Sequence, residues 1–170
     1  KSYCTFFMVI IYPLIALQYL ERILYNDFKD GTLELLLTIL TPGQFIISQY
    51  FAQYILIVLS YLFALPIIII LLNYNISEII LYSALVLINI TTANIISLFS
   101  SISFCYIKKI TMVNFVLILP LVLPTLIISS LIIQDMTYLV LVNFLLGLVM
   151  IVVAILGFAS EYLLRNIYNI

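Results

Sequence analysis

The chain has 170 residues, of which 66% are hydrophobic and 8% are charged, and its formal net charge is -1. Soluble domains contain about 45 to 50% apolar and about 25% charged residues, and a chain of this length cannot bury so much apolar surface by folding in water. The composition therefore excludes an ordinary soluble protein, and the near-neutral charge without a basic run argues against nucleic acid as a partner. We predict an integral membrane protein.

Five apolar runs separated by charges or turn formers predict the membrane-spanning helices. A helix needs about 20 apolar residues to cross the hydrocarbon core, and charged residues mark where such spans end. The fold class is accordingly all-α, with one polytopic transmembrane domain over residues 1–170. The predicted spans are Cys4–Leu20, Gln44–Leu72, Glu78–Ile107, Met112–Ile133 and Thr137–Leu164.

The basic residues predict the orientation of these spans. If each span crosses once, the segment before the second span, the turn before the fourth span and the C-terminus share one face. That face holds five of the six basic residues and the other face holds Lys1. By the positive-inside rule the first face is the mitochondrial matrix or the bacterial cytoplasm. Its basic residues are Arg22, Lys29, Lys108, Lys109 and Arg165.

The segment 21–43, between the first two spans, holds six of the chain's charged residues and predicts a short interfacial helix. Asp30 is the expected N-cap, Glu34 lies in the first turn, and Pro42–Gly43 ends the helix. About ten residues cannot span a bilayer, so the helix lies in the interface. These charges either fix topology alone or form a contact for a soluble partner on the inner face. Leucines recur at helical spacing at Leu33, Leu36, Leu37 and Leu40.

The fourth span contains Pro120 and Pro124, four residues apart. Each proline removes a backbone donor and clashes with the preceding turn, so a kinked or broken helix is expected near mid-membrane. The kink either serves packing alone or marks a binding site, as discontinuous helices do in transporters.

The sequence carries none of the motifs that would indicate catalysis. It has no G-x-x-x-x-G-K-[ST] pattern for ATP, no histidine for a catalytic triad, and no cysteine spacing typical of zinc. We predict a non-catalytic subunit that binds no metal, so any ATP hydrolysis belongs to a partner.

Two stretches resemble the CcmB family, the haem exporter protein B of cytochrome c maturation, which is the membrane part of an ABC-2-type transporter. The first reads LER followed by DFKDGTLELL, and the second reads LPLVLP. The basic pair Lys108–Lys109 also fits the family. The matching residues are Leu20, Glu21, Arg22, Asp27, Asp30, Gly31, Thr32, Leu33 and Glu34, then Leu119, Pro120, Leu121, Leu123 and Pro124.

The resemblance implies an ABC-2-type fold in which the charged segment is a coupling element that docks on a separate ATP-binding subunit. Other partners would be the cytochrome c maturation membrane proteins and the lipid bilayer, with haem handled by the complex as a whole. The location would be the mitochondrial inner membrane or a bacterial plasma membrane. The family has six spans, so we also expect one N-terminal span to be missing here. The implied contact residues are Glu21, Arg22, Asp27, Asp30, Gly31, Thr32, Leu33 and Glu34.

Two alternatives remain beside this interpretation. Where the family carries a Lys and a His, and then several glycines, this chain reads ISQYFAQY and SLFSSISFCYIKK. That departure favours a structural subunit of a larger inner-membrane assembly, such as a respiratory complex, that retains the transporter fold. A channel or solute carrier is disfavoured, because we expect no span to carry a polar stripe. Without histidine, this chain offers no imidazole ligand for haem.

Overall fold

The computed structural model describes residues 9–15, 27, 29–73, 75–107, 111–134 and 138–168, and its described secondary structure is helical. Residues 9–15 belong to α1. A short helix, α2, precedes four long ones. Their bounds are α2 Thr32–Ile39, α3 Pro42–Leu72, α4 Ile76–Ile107, α5 Thr111–Gln134 and α6 Tyr138–Tyr168. The all-α prediction is confirmed.

Within the described residues, three helices contain stretches long and apolar enough to cross a membrane. They are Pro42–Ile70 in α3, Glu78–Ser103 in α4 and Val140–Asn166 in α6, while α5 adds a shorter apolar stretch, Pro120–Ile133. A multi-pass membrane protein follows from these lengths. The count of five spans stays a prediction, since most of the first predicted span lies outside the described residues.

Helix α4 is the centre of the bundle. Half of its most apolar window is buried, against 17% of the corresponding windows of α3 and α6, and α4 packs against α3, α5 and α6. Its inward residues Ile90 and Ala93 share a core cluster with Ile57 of α3, Val122 of α5 and Leu156 of α6. The large apolar side chains left exposed on α3 and α6 suit contact with lipid tails, which are as apolar as leucine.

The start of α3 is fixed by a capping box. The Gln44 amide N–H donates to the Thr41 hydroxyl at 3.4 Å, and the Thr41 amide N–H donates to Gln44 Oε1 at 3.2 Å. Pro42 occupies the first helical turn, where its missing N–H costs nothing. Pro42 and Gly43 therefore begin α3, two residues before the predicted Gln44. The expectation that they end α2 is wrong, because α2 ends at Ile39.

Helix α5 runs without interruption through Pro120 and Pro124 over 24 residues. Of the two alternatives, a kinked or a broken helix, the described residues show no break, and a kink stays a prediction. Neighbouring hydroxyl groups and packed helices allow a helix to continue past proline in a membrane. Asn73, in the turn between α3 and α4, adopts a left-handed conformation with φ 49° and ends α3. The turn-forming stretch NYNIS, which begins at Asn73 in the sequence, predicts this end.

Candidate functional site

One face of α2 anchors this helix to the end of the bundle. Leu33, with 2% of its surface exposed, and Leu37, four residues later, both point inward. Burying a leucine contributes about 1.5–3 kcal/mol, so two of them hold a short helix in place. The start of α3 and the ends of α4 and α6 meet here, which agrees with the predicted topology. Their buried residues in this cluster are Phe45, Ile46, Leu98, Ile102 and Leu164.

The opposite face of α2 points away from the bundle. Leu35 is 68% exposed and Ile39 is 80% exposed, and Glu34 and Thr38 are exposed beside them. Residues four apart lie on adjacent turns of one helix face, so these four side chains form a continuous patch. We call Glu34, Leu35, Thr38 and Ile39, with the exposed Asp30 before them, the outer face of α2. It combines two carboxylates with two large apolar groups.

Gly31, not Asp30, occupies the N-cap position of α2. Its φ of 74° is left-handed, a conformation that glycine adopts without the strain of a Cβ. The predicted capping role of Asp30 is therefore wrong, because Asp30 lies one residue too early and no side chain caps the helix. The Thr32 hydroxyl instead donates to the Asp27 carbonyl at 3.0 Å. Glu34 lies in the first turn, as predicted.

The structure places the predicted contact residues in different environments. Asp30, Thr32 and Glu34 are exposed, and Asp27 is half-buried. Leu33 faces the bundle and acts as an anchor, and Gly31 sets the backbone conformation. Leu35, Thr38 and Ile39 were missed, although an inward Leu33 and Leu37 place them outward by helical spacing alone. Glu21 and Arg22 lie outside the described residues.

Glu161 connects the end of α6 to the joint between α2 and α3. Its Oε1 accepts a hydrogen bond from Arg165 Nη2 at 2.7 Å. A methyl group added at Gly43 would lie 3.5 Å from the carboxylate carbon and from both carboxylate oxygens. The carboxylate therefore lies over the first turn of α3, where the helix dipole favours negative charge.

Replacing Glu161 by glutamine is expected to lower the free energy of unfolding by about 0.3–1 kcal/mol, because the charge at the α3 N-terminus is lost while the side-chain shape is kept. Arg165→Gln is the control, since it removes only a partly exposed ion pair worth about 0.3–0.5 kcal/mol. Thermal unfolding in detergent measures the loss of stability in both variants. An Arg165→Gln loss larger than that of Glu161→Gln would contradict the helix-terminus role.

Helix α4 carries a buried polar stripe, so the expectation that no span has one is wrong. The Asn89 amide nitrogen donates to the Leu85 carbonyl at 2.9 Å and to Ser129 Oγ on α5 at 2.7 Å. The sequence carries a signal for this stripe, because Asn94, Ser97 and Ser101 recur at the helical intervals of three and four residues. The buried polar residues of α4 are Asn89, Thr92, Asn94, Ser97, Ser100 and Ser101.

The family model described as CcmB protein matches residues 8–166, nearly the whole chain. The chain belongs to the CcmB family. The resemblance at the charged segment is thereby confirmed. CcmB is a membrane component of the haem exporter of cytochrome c maturation, a transporter subunit that works with an ATPase and other maturation proteins rather than an enzyme.

Two bacterial relatives are similar over almost all of this CcmB chain. An uncharacterized protein of Rickettsia conorii is 35% identical over 167 residues, which cover 96% of this chain and 76% of the relative. An uncharacterized protein of Rickettsia prowazekii is 34% identical over the same length and the same shares. No solved structure matches the chain significantly.

Proposed function

We propose that this CcmB protein couples a separate ATPase on the inner face of the membrane to haem handling on the outer face. The observation that carries the proposal is the division of α2 into an anchored face and an outer face. An eight-residue helix held by Leu33 and Leu37 presents Glu34, Leu35 and Ile39 away from the bundle. Exposed apolar side chains such as Leu35 and Ile39, next to charged ones, are typical of a surface that a protein partner covers.

The outer face of α2 can pass a displacement into the bundle along two routes. The first route is the backbone, which leads directly to α3 through Leu40 and Thr41. The capping box fixes the backbone conformation at the start of α3. The second route is packing, because the buried Leu33 and Leu37 belong to the same apolar cluster as residues at the ends of α4 and α6. An ATPase that closes on ATP and pushes α2 would thus tilt α3 against α4, with haem as the substrate moved by the complex.

The inner face in this proposal is the mitochondrial matrix or the bacterial cytoplasm, and the end of α6 lies there. Arg165 is at the end of the bundle that carries α2, as is Lys29, which precedes it. This grouping of positive charge supports the orientation. The chain is rich in isoleucine, phenylalanine, tyrosine and asparagine, which suggests an A+T-rich genome such as organelles often have, and a mitochondrial location is therefore part of the proposal.

Reversing two charges of the outer face tests the coupling. Asp30→Lys together with Glu34→Lys is expected to weaken ATPase binding by about 100-fold, because like charges brought together at an interface cost several kcal/mol. Both residues are exposed, so the unfolding temperature should hardly change. Affinity capture of the ATPase from solubilised membranes gives the readout.

Asn75→Lys is the matched control, because it adds a positive charge at an exposed position at the opposite end of the bundle. This variant should retain the ATPase. Full retention of the ATPase by the doubly reversed α2 variant would refute the proposal.

A further inference from the structure

Three amide side chains in the interior of the bundle each keep one oxygen without a hydrogen-bond donor. These atoms are Gln53 Oε1, Asn89 Oδ1 and Asn94 Oδ1, on residues that are 0–2% exposed. A buried polar atom without a partner is costly, and in a membrane no bulk water relieves it. Each of the three is an acceptor, so the group that completes the site is a donor.

Two of these oxygens belong to residues on α3 and α4, which pack against each other. The Asn94 amide nitrogen donates to the Tyr50 carbonyl of α3 at 2.9 Å. Gln53 lies one turn beyond Tyr50, on the side to which a helical carbonyl points, and donates to Gln49 Oε1 at 3.2 Å. Tyr50 and Gln53 are separated by about one helical turn, roughly 5 Å along α3, so Gln53 lies on the turn next to the one that Asn94 contacts. We call Gln53 and Asn94 the amide pair. Asn89 faces α5 instead, through Ser129.

Rotating the Asn94 amide by a half-turn does not solve the problem. Its oxygen would then face the Tyr50 carbonyl, and its two N–H donors would be buried in place of the oxygen. A partner protein cannot supply the donor either, because both side chains are almost completely covered by this chain. A small molecule with two donors fits, and buried water typically makes about three hydrogen bonds to groups of this kind.

We propose that a water molecule binds between Gln53 and Asn94 and donates one hydrogen bond to each side-chain oxygen. Polar groups lead from this site toward the end of the bundle that carries α2. Gln49 is half-buried on α3, and Ser97 and Ser101 follow on α4. Water can exchange hydrogen-bond partners, so it would lower the cost of moving α3 along α4, whether or not α2 binds an ATPase.

Radiolytic hydroxyl labelling of the full chain in lipid nanodiscs tests the site, because radicals formed from a bound water oxidise the side chains beside it. Tyr50 and Tyr54 are half-buried and flank Gln53, and their rings stack with centroids 6.1 Å apart. Phe51, on the same turn of α3, has its side chain exposed on the outside of the bundle. We expect Tyr50 and Tyr54 to be oxidised several-fold faster than Phe51.

The double variant Gln53→Leu, Asn94→Leu should reduce the Tyr50 and Tyr54 rates to that of Phe51. Asn89→Leu is the matched control, since it removes a buried asparagine of the same helix on the side of α5, and it should leave both rates unchanged. Equal oxidation of Tyr50, Tyr54 and Phe51 in the unaltered chain would overturn the proposal, as would tyrosine rates that the double variant leaves unchanged.

A high-resolution density map of the unaltered chain tests the same site if the double variant does not fold. A density peak within hydrogen-bond distance of both Gln53 Oε1 and Asn94 Oδ1 is expected. Direct hydrogen bonding between the two amides, with no peak between them, would overturn the proposal.

Discussion

Leu33→Asp should release α2 from the end of the bundle. The leucine is almost completely buried among apolar side chains of α3, α4 and α6, and a carboxylate there would have no partner. The helix avoids this cost by detaching from the bundle, and it then loses about 3 kcal/mol of packing energy. Because local opening becomes easier, amide exchange of residues 32–39 is expected to become about 100-fold faster. Hydrogen exchange measured by mass spectrometry gives the rate for this segment separately from α4.

Leu35→Asp provides the matched comparison, because it makes the same change two residues away at a position that is 68% exposed. Amide exchange of α2 should stay unchanged in this variant, while ATPase binding falls because an apolar contact of the outer face is replaced by a charge. The pair separates anchoring from docking. Equal amide exchange in the Leu33→Asp and Leu35→Asp proteins would contradict the two-faced arrangement of α2.

Ala93→Leu should lower the free energy of unfolding by about 1–3 kcal/mol, since overpacking a closely packed interior forces helices apart. Ala93 is fully buried in the cluster that joins α4 to its neighbours. Ala93, Ser97 and Ser101, all buried, recur at intervals of four, a spacing of small residues that lets membrane helices approach closely. Chemical or thermal unfolding in detergent measures the loss.

Ala84→Leu is the control for this change, because Ala84 lies on the same helix but is exposed. A leucine there should change the free energy of unfolding by no more than about 0.5 kcal/mol. Equal stability of the Ala93→Leu and Ala84→Leu proteins would contradict the conclusion that α4 is closely packed at the centre of the bundle.

The sequence was sufficient for the features that depend on residue order alone. Long apolar runs between charges predicted the long helices, since the bilayer sets their length. The spacing of Leu33 and Leu37 predicted α2, and Glu34 falls in its first turn. The CcmB resemblance rested on the same segment, because motif and helix coincide there.

Features that depend on how the helices pack against one another could not be predicted from residue order. Gly31, rather than Asp30, is the N-cap because its backbone is left-handed. The residue pattern D-G-T does not determine which of the two residues takes this position. The polar side chains of α4 are interspersed with isoleucine and leucine, so the sequence alone does not show that they face the interior of the bundle. Their importance appears only when α3 and α5 cover them and leave the Asn89 and Asn94 oxygens without donors.

Native purification tests the central claim of ATPase coupling most directly. The protein would be extracted from its own membrane in mild detergent, and everything that stays bound would be identified by mass spectrometry. We predict that an ATP-binding subunit and cytochrome c maturation proteins remain attached, and that the ATP-binding subunit is lost from the Asp30→Lys, Glu34→Lys variant. Respiratory-complex subunits in place of any ATPase would contradict the coupling role and leave the fold as a scaffold.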